Sequence, residues 1–327
     1  MPTAKLLTRV VVVLIALFTT IVFAPTLRAE EGGASHYQPG SQGDFAMALI
    51  GPRGFYLRSD LMLLRGRIHR VTLGDRVYTS AKQTALVDVL KGIYMGGRAF
   101  RGSRWGAALS LPVVFQARAS GEAAVPVAGS REGTRSGLGD VSLTPFMNWK
   151  RGDHHLTTAL NIYAPTGAYS KDRMINLGRN YWSFDPTVSY TWLDSKRGHE
   201  FSAIAGFMFN TENQATEYRS GNAFHFDFTV AQRFSERLAV GLVGYGYLQA
   251  TDDSGPLLDR ANTVLQGLGL KRLGGFRGEA FGIGPAISYT ASLGSRDVTF
   301  ILKGMTDLHK KNRFQSDTIM LSVALKL

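Results

Sequence analysis

From residue 54 onward the sequence alternates. Trp182, Phe184, Pro186, Val188, Tyr190 and Trp192 make one aromatic or apolar face, and Ser183, Asp185, Thr187, Ser189 and Thr191 make a polar one. Phe224, Phe226 and Phe228 oppose His225, Asp227 and Thr229 in the same way. Leu156, Thr158, Leu160 and Ile162 oppose His155, Thr157, Ala159 and Asn161, and the end of the chain sets Ile319, Leu321, Val323, Leu325 and Leu327 against Ser322, Ala324 and Lys326. Trp105, Ala107, Leu109, Leu111, Val113 and Phe115 keep an apolar face with a less polar opposite side. A period of two is the mark of a strand whose two faces meet different surroundings. It predicts strands at 54–66, 83–96, 104–118, 139–150, 154–165, 181–194, 200–211, 222–234, 238–250, 276–291, 297–309 and 317–327. Most are about ten residues or longer, whereas strands of soluble proteins average about five or six and a tilted membrane strand needs about nine to eleven.

The links between these strands take turns. Short ones fall at 97–103, 151–153, 195–199, 235–237 and 292–296, and long ones at 67–82, 119–138, 166–180, 212–221, 251–275 and 310–316. Lipid cannot satisfy free backbone groups, so such strands must close on themselves. The expected fold is all-β, a transmembrane antiparallel up-and-down β-barrel of about 12 strands, with short turns and both termini on the periplasmic side. Trp105, Trp149, Trp182, Trp192, Tyr163, Tyr181, Tyr245 and Tyr247 near strand ends suggest interfacial girdles. Glycines in 241–246 and 282–284 fall inside strands, where they permit tight curvature and close backbone approach. Leu257–Leu268 carries weak helix potential within a long link.

Ahead of the barrel, Lys5 and Arg9 precede an apolar run from Val10 to Phe23, Pro25 breaks it, and Ala29 offers a cleavage position. This is the order of a secretory signal, with Leu27 where a small residue is preferred. The expected organisation is a signal peptide at 1–29, an N-terminal segment at 30–53 and an outer-membrane β-barrel at 54–327. Residues 30–53 are too polar to span a membrane. They either extend into the periplasm or fold into the lumen, and the compact run holding His36, Tyr37, Pro39, Gly40 and Gly43 favours a lumen plug.

The chain of 327 residues has no cysteine, which excludes disulfides, thiolate nucleophiles and Cys-bound zinc. A mean hydropathy of −0.04 argues against a helical membrane bundle. Removing Lys5, Arg9 and Arg28 with the signal lowers the formal charge from +12 to +9. No basic helix or finger pattern supports nucleic acid as a partner. The excess at 65–70, 98–104 and 309–313 reads as loop and pore-lining charge, able to favour anions in a pore or to contact acidic lipid head groups.

Several stretches then resemble the outer-membrane family named for the meta-cleavage pathway of phenol degradation. They are EGGASHYQPGSQGDF (31–45), GLGDVSLTPF (137–146), APTGAY (164–169), NLGRNYWSFDP (176–186), FNTENQATEYRSGNAFHFD (209–227), VGYGYLQATDDSG (243–255), FRGEAFGIGP (276–285) and the closing DLHKKNRFQSDTIMLSVALKL. The resemblance implies a transporter-like barrel associated with uptake of aromatic or other hydrophobic compounds; the signal points to export, and the barrel-assembly machinery is an expected partner of any such outer-membrane barrel. Many such barrels end in Phe, whereas this chain ends in Leu327.

Candidate chemistry is sparse. Ser, His and Asp are present, yet no GxSxG elbow occurs. His154 and His155 point to opposite faces of a strand, which suits no metal pair. Asp252, Asp253, Ser254, Gly255 and Asp259 lack the spaced ligands of a calcium loop. No catalytic, metal or cofactor site is expected, and no enzyme activity. If apolar faces meet lipid, Arg58, Asp60, Gln116, Arg118, Asn148, Lys150, His155, Asn161, Asp185, His225, Asp227, Lys303 and Asp307 line the lumen, either as a salt-bridge network without ligand or as a selective pore wall. The leading function is a channel or transporter for small solutes in contact with outer-membrane lipid. The alternatives are a lipid-acting enzyme and a structural or adhesive barrel without transport.

Overall fold

The computed structural model describes residues 35–68, 71–73, 76–125, 129–267 and 277–327. The signal-sequence reading of 1–29 lies outside them. Twelve antiparallel strands form one closed sheet. In chain order they are β1 (Gly54–Ile68, continued by Val71–Leu73), β2 (Arg76–Arg98), β3 (Arg104–Val125), β4 (Gly129–Leu138 and Ser142–Arg151), β5 (His154–Tyr163), β6 (Ser183–Leu193), β7 (His199–Asn210), β8 (Ala223–Arg233), β9 (Leu238–Gln249), β10 (Glu279–Leu293), β11 (Arg296–Lys311) and β12 (Gln315–Lys326). Each pairs with its neighbours in sequence, and β1 closes the barrel on β12 from Tyr56↔Lys326 to Arg67↔Gln315. Among the described residues an α-helix, α1 (Pro256–Gly267), lies in the link after β9, where the sequence suggests one.

Alternation sets the two faces. On β6, Phe184 and Val188 are 37% and 50% exposed while Asp185 is fully buried. The apolar residues coat the outside and the polar ones turn inward, the arrangement a barrel in lipid requires.

Two expectations need correction. The stretches 67–82 and 119–138 are mostly strand rather than loop, because β2, β3 and the first half of β4 continue past the apolar band. Beyond the band the outer face is polar, at Lys82, Arg118, Ser120 and Glu122, and the inner face holds small residues such as Ala81, Ala119 and Ala123, so the apolar-out pattern that marks a membrane strand is missing. Second, Tyr163, Tyr181, Tyr245 and Tyr247 are not girdle residues. Tyr245 and Tyr247 share the inner face with buried Val243, and Gly244 and Gly246 occupy the outer one. The ring of Tyr245 lies over Gly282, where an added Cβ would stand 2.3 Å from it.

Candidate functional site in the barrel lumen

Residues 35–50 lie inside the barrel, held mainly by β4 to β8, β11 and the links above them. At the short-turn end, Arg104 donates to the Gly51 carbonyl (2.9 Å), Thr191 Oγ1 accepts from the Ala48 amide (3.0 Å) and Asn148 donates to the Ala48 carbonyl. Further in, the Thr229 hydroxyl donates to the Asp44 carbonyl (2.8 Å), and Glu200 accepts from the Ala46 amide. Three tethers then fix residues 36–43.

The first is Lys303, which is buried and donates to the carbonyls of Gly40 (2.9 Å) and Gly43. The second is Asp227, which accepts from the Tyr37 hydroxyl and from the Gln42 amide (3.0 Å). The Tyr37 ring stacks on His225 with centroids 3.9 Å apart, and His225 Nε2 is 2.9 Å from Asp185, both fully buried.

The third tether joins three residue types that often do chemistry. His36 Nδ1 is 2.7 Å from Ser183 Oγ, and its Nε2 is 3.0 Å from Asp140. The direction of the bonds is wrong for a nucleophile. Asn210 donates its Nδ2 to the Gly221 carbonyl, so its Oδ1 accepts from Ser183 at 2.6 Å. Ser183 thus gives its proton to Asn210 and accepts one from His36, where an attacking serine must give its proton to the imidazole. With Asp140 on its other nitrogen, His36 bridges the two strands as a clamp. Ser183 has no exposed surface. Asp140 also accepts the amides of Gly167 (2.8 Å) and Arg179 (2.7 Å). Gly167 and Gly178 touch there, since a Cβ on Gly167 would fall 2.7 Å from the Gly178 Cα. The stretches GLGD, APTG and NLGR therefore meet at one knot around His36.

The segment leaves open a cavity of about 720 Å³ on the side of β1 to β5. Val87, Val89, Ile93, Val114 and Phe146 supply an apolar wall, and Arg58, Asp60, Lys91 and Asn161 a polar one. Asp60 joins Arg58 Nε and Lys91 Nζ at 2.7 Å each, and Arg58 reaches back to Asp44 at 2.5 Å.

Arg58, Asp60, Asn148, Lys150, His155, Asn161, Asp185, His225, Asp227, Lys303 and Asp307 stand on the inner side of the wall. Lys150 and His155 pair across β4 and β5 at the short-turn rim, and Asp307 accepts from the Tyr245 hydroxyl. Gln116 and Arg118 do not join them, which corrects the sequence reading. Leu86 pairs with Gln116 and Val87 with Val114, leaving Phe115 as an extra residue, and this bulge moves Gln116 and Arg118 to the outer face. Sequence reasoning missed Asp140, Ser183, Lys91 and Glu200. The parity of β6 could have recovered Ser183, which shares its inner face with Asp185. Asp253 accepts from Tyr218, the Gly221 amide and Gln249, so it staples a link between strands.

The model of the family described as "Putative MetA-pathway of phenol degradation" matches residues 70–323. Among solved structures, an outer membrane channel from Pseudomonas putida F1 is 14% identical at a TM-score of 0.64, over 88% of this chain and 99% of that one. The NanC porin is 13% identical over 82% and 100% at a TM-score of 0.41. A Pseudomonas aeruginosa FadL homologue is 9% identical over 92% and 98% at 0.38. Only the first is similar enough to bear on the fold, and it bears on nothing else. No curated protein matches the sequence.

Proposed function

This chain belongs to the family described as "Putative MetA-pathway of phenol degradation", and from that premise we propose that it is an outer-membrane channel for small solutes, with residues 35–50 as a plug that narrows the lumen. The cavity beside that segment carries the reading. Its volume of about 720 Å³ suits a molecule of one or two rings, within the range of about 300–1,000 Å³ usual for small-molecule pockets. One wall is apolar and the other bears fixed charges already paired with each other. An aromatic or hydrophobic solute with one polar group can slide along the first and exchange hydrogen bonds with the second. The inner residues Arg58, Asp60, Asn161 and Lys303 then act as lining or as anchors of the plug. The short turns and both chain ends face the periplasm in this reading.

Deleting residues 31–43 while keeping the signal tests it. Single-channel conductance in planar bilayers should rise, because the tethers to His36, Tyr37, Gly40 and Gly43 are lost. A correctly folded deletion with unchanged conductance would reduce the segment to a tail and defeat the plug.

A further inference from the structure

Four cations gather on the outside of the barrel. Arg65 and Arg67 on β1, Lys82 on β2 and Arg118 on β3 are all exposed. Arg67 lies directly opposite Lys82, and Thr84 lies between Arg65 and Arg118 in the next row. Residues opposite one another in a ladder share a face, with Cβ atoms about 4.5–5.5 Å apart. The face is the outer one, since Ile68, Ala81 and Ala123 are buried with Met174 and Phe314 on the inside. Arg118 belongs to the group only through the bulge at Phe115.

Like charges placed directly opposite in a sheet repel. Among the described residues none of the four has an ion pair. The one carboxylate across the seam, Asp317 opposite Arg65, accepts from Thr306 at 2.7 Å. Water and the outer-face carboxylates Glu122, Glu132 and Asp317 offset part of this repulsion, and an anion laid over the four cations would offset more.

Height along the wall says what that is. Phe55, Tyr94 and Trp105 form an aromatic cluster near the short-turn end, with centroids 4.7 and 5.4 Å apart. Arg65 lies ten residues above Phe55 on the same strand. At about 3.3 Å per residue and a tilt near 40°, that climb is about 25 Å, the height of the apolar band of such barrels. Arg65 and Arg118 therefore stand at the upper membrane interface, with Arg67 and Lys82 one step above. Immediately below them the same face carries Leu63 and Leu86, with Asp88 accepting from Ser59 (2.9 Å) further down.

We propose that Arg65, Arg67, Lys82 and Arg118 form a binding site for the phosphate groups of an anionic lipid in the leaflet on the long-loop side. Guanidinium forks match phosphate oxygens, and acyl chains would lie on the leucines beneath. A free phosphate offers the same oxygens without chains to use that apolar surface.

Native mass spectrometry of the full chain in neutral detergent tests this, with diphosphorylated lipid A as the probe, phosphatidylcholine as a lipid without net charge and inorganic phosphate as competitor. The variant Arg65→Gln/Arg67→Gln/Lys82→Gln/Arg118→Gln should bind lipid A at least about tenfold more weakly. Arg98→Gln/Arg151→Gln, at the short-turn end, should bind as wild type, and equimolar inorganic phosphate should not displace the lipid. Unchanged binding by the fourfold variant, an equal loss in the control, equal binding of phosphatidylcholine or displacement by inorganic phosphate would each overturn the proposal. If the fourfold variant does not fold, Arg67→Gln/Lys82→Gln carries the same test, with folding read from heat-modifiable gel mobility.

Discussion

Gly40 has φ of +78°, and a Cβ there would stand 2.5 Å from the Met305 methyl and 2.8 Å from the Tyr245 ring. Both facts exclude a side chain. A β-branched residue at this position costs about 1–2 kcal/mol in backbone strain alone, before anything moves aside. Gly40→Val should therefore loosen the segment and shift conductance toward that of the 31–43 deletion. Lys303→Met acts from the other side of the same contact. It leaves two carbonyls facing a methyl group, a loss of about 1–3 kcal/mol, and should appear as more frequent excursions to a larger conductance. On the outer face, Leu321 is paired with Leu61 and Leu302. Leu321→Arg should lower stability by about 2–4 kcal/mol if the residue sits near the bilayer centre. Denaturant titration in lipid vesicles measures this, and a wild-type midpoint would contradict its contact with lipid.

Among elements, the link 164–182 between β5 and β6 depends on Asp140, whose carboxylate collects the Gly167 and Arg179 amides and the His36 ring. Asp140→Ala leaves those donors without their acceptor. Amide hydrogen exchange across 164–182 should rise by about tenfold or more, the equivalent of about 1.4 kcal/mol, while that of β8 and β9 stays unchanged. Nothing in the order of the sequence says that 140, 167, 178 and 36 meet, because the contact is made by loop closure rather than by a period. The strands themselves were legible for the opposite reason. Where a wall divides lipid from a polar interior, as at β6 and β8, every second residue reports its side. That report fails in three kinds of place. On β2 and β3 the inner face is itself apolar, at Val87, Val89 and Val114. Above the band the outer face turns polar, at Lys82 and Arg118, over small inner residues such as Ala81 and Ala123. At Phe115 one extra residue inverts the parity, which is why Gln116 and Arg118 were assigned to the wrong face.

At the scale of the whole molecule, residues 35–50 precede β1 in the chain yet are fastened to β8 and β11, through Tyr37 to Asp227 and Lys303 to Gly40. The seam between β1 and β12 is the last that synthesis makes possible. Once it has closed, these residues could reach their sites only by entering the narrowed lumen from one end. The economical order is the reverse, with the curling sheet wrapping around its own leading segment before the seam forms. In that order the segment would serve as an inner template for β8 and β11, which it contacts, while the barrel is still open. Removing it should slow the appearance of the closed, heat-resistant form during refolding into lipid vesicles, and a synthetic peptide of residues 35–50 added at the start should restore the rate, whereas the same peptide added after closure should have no effect.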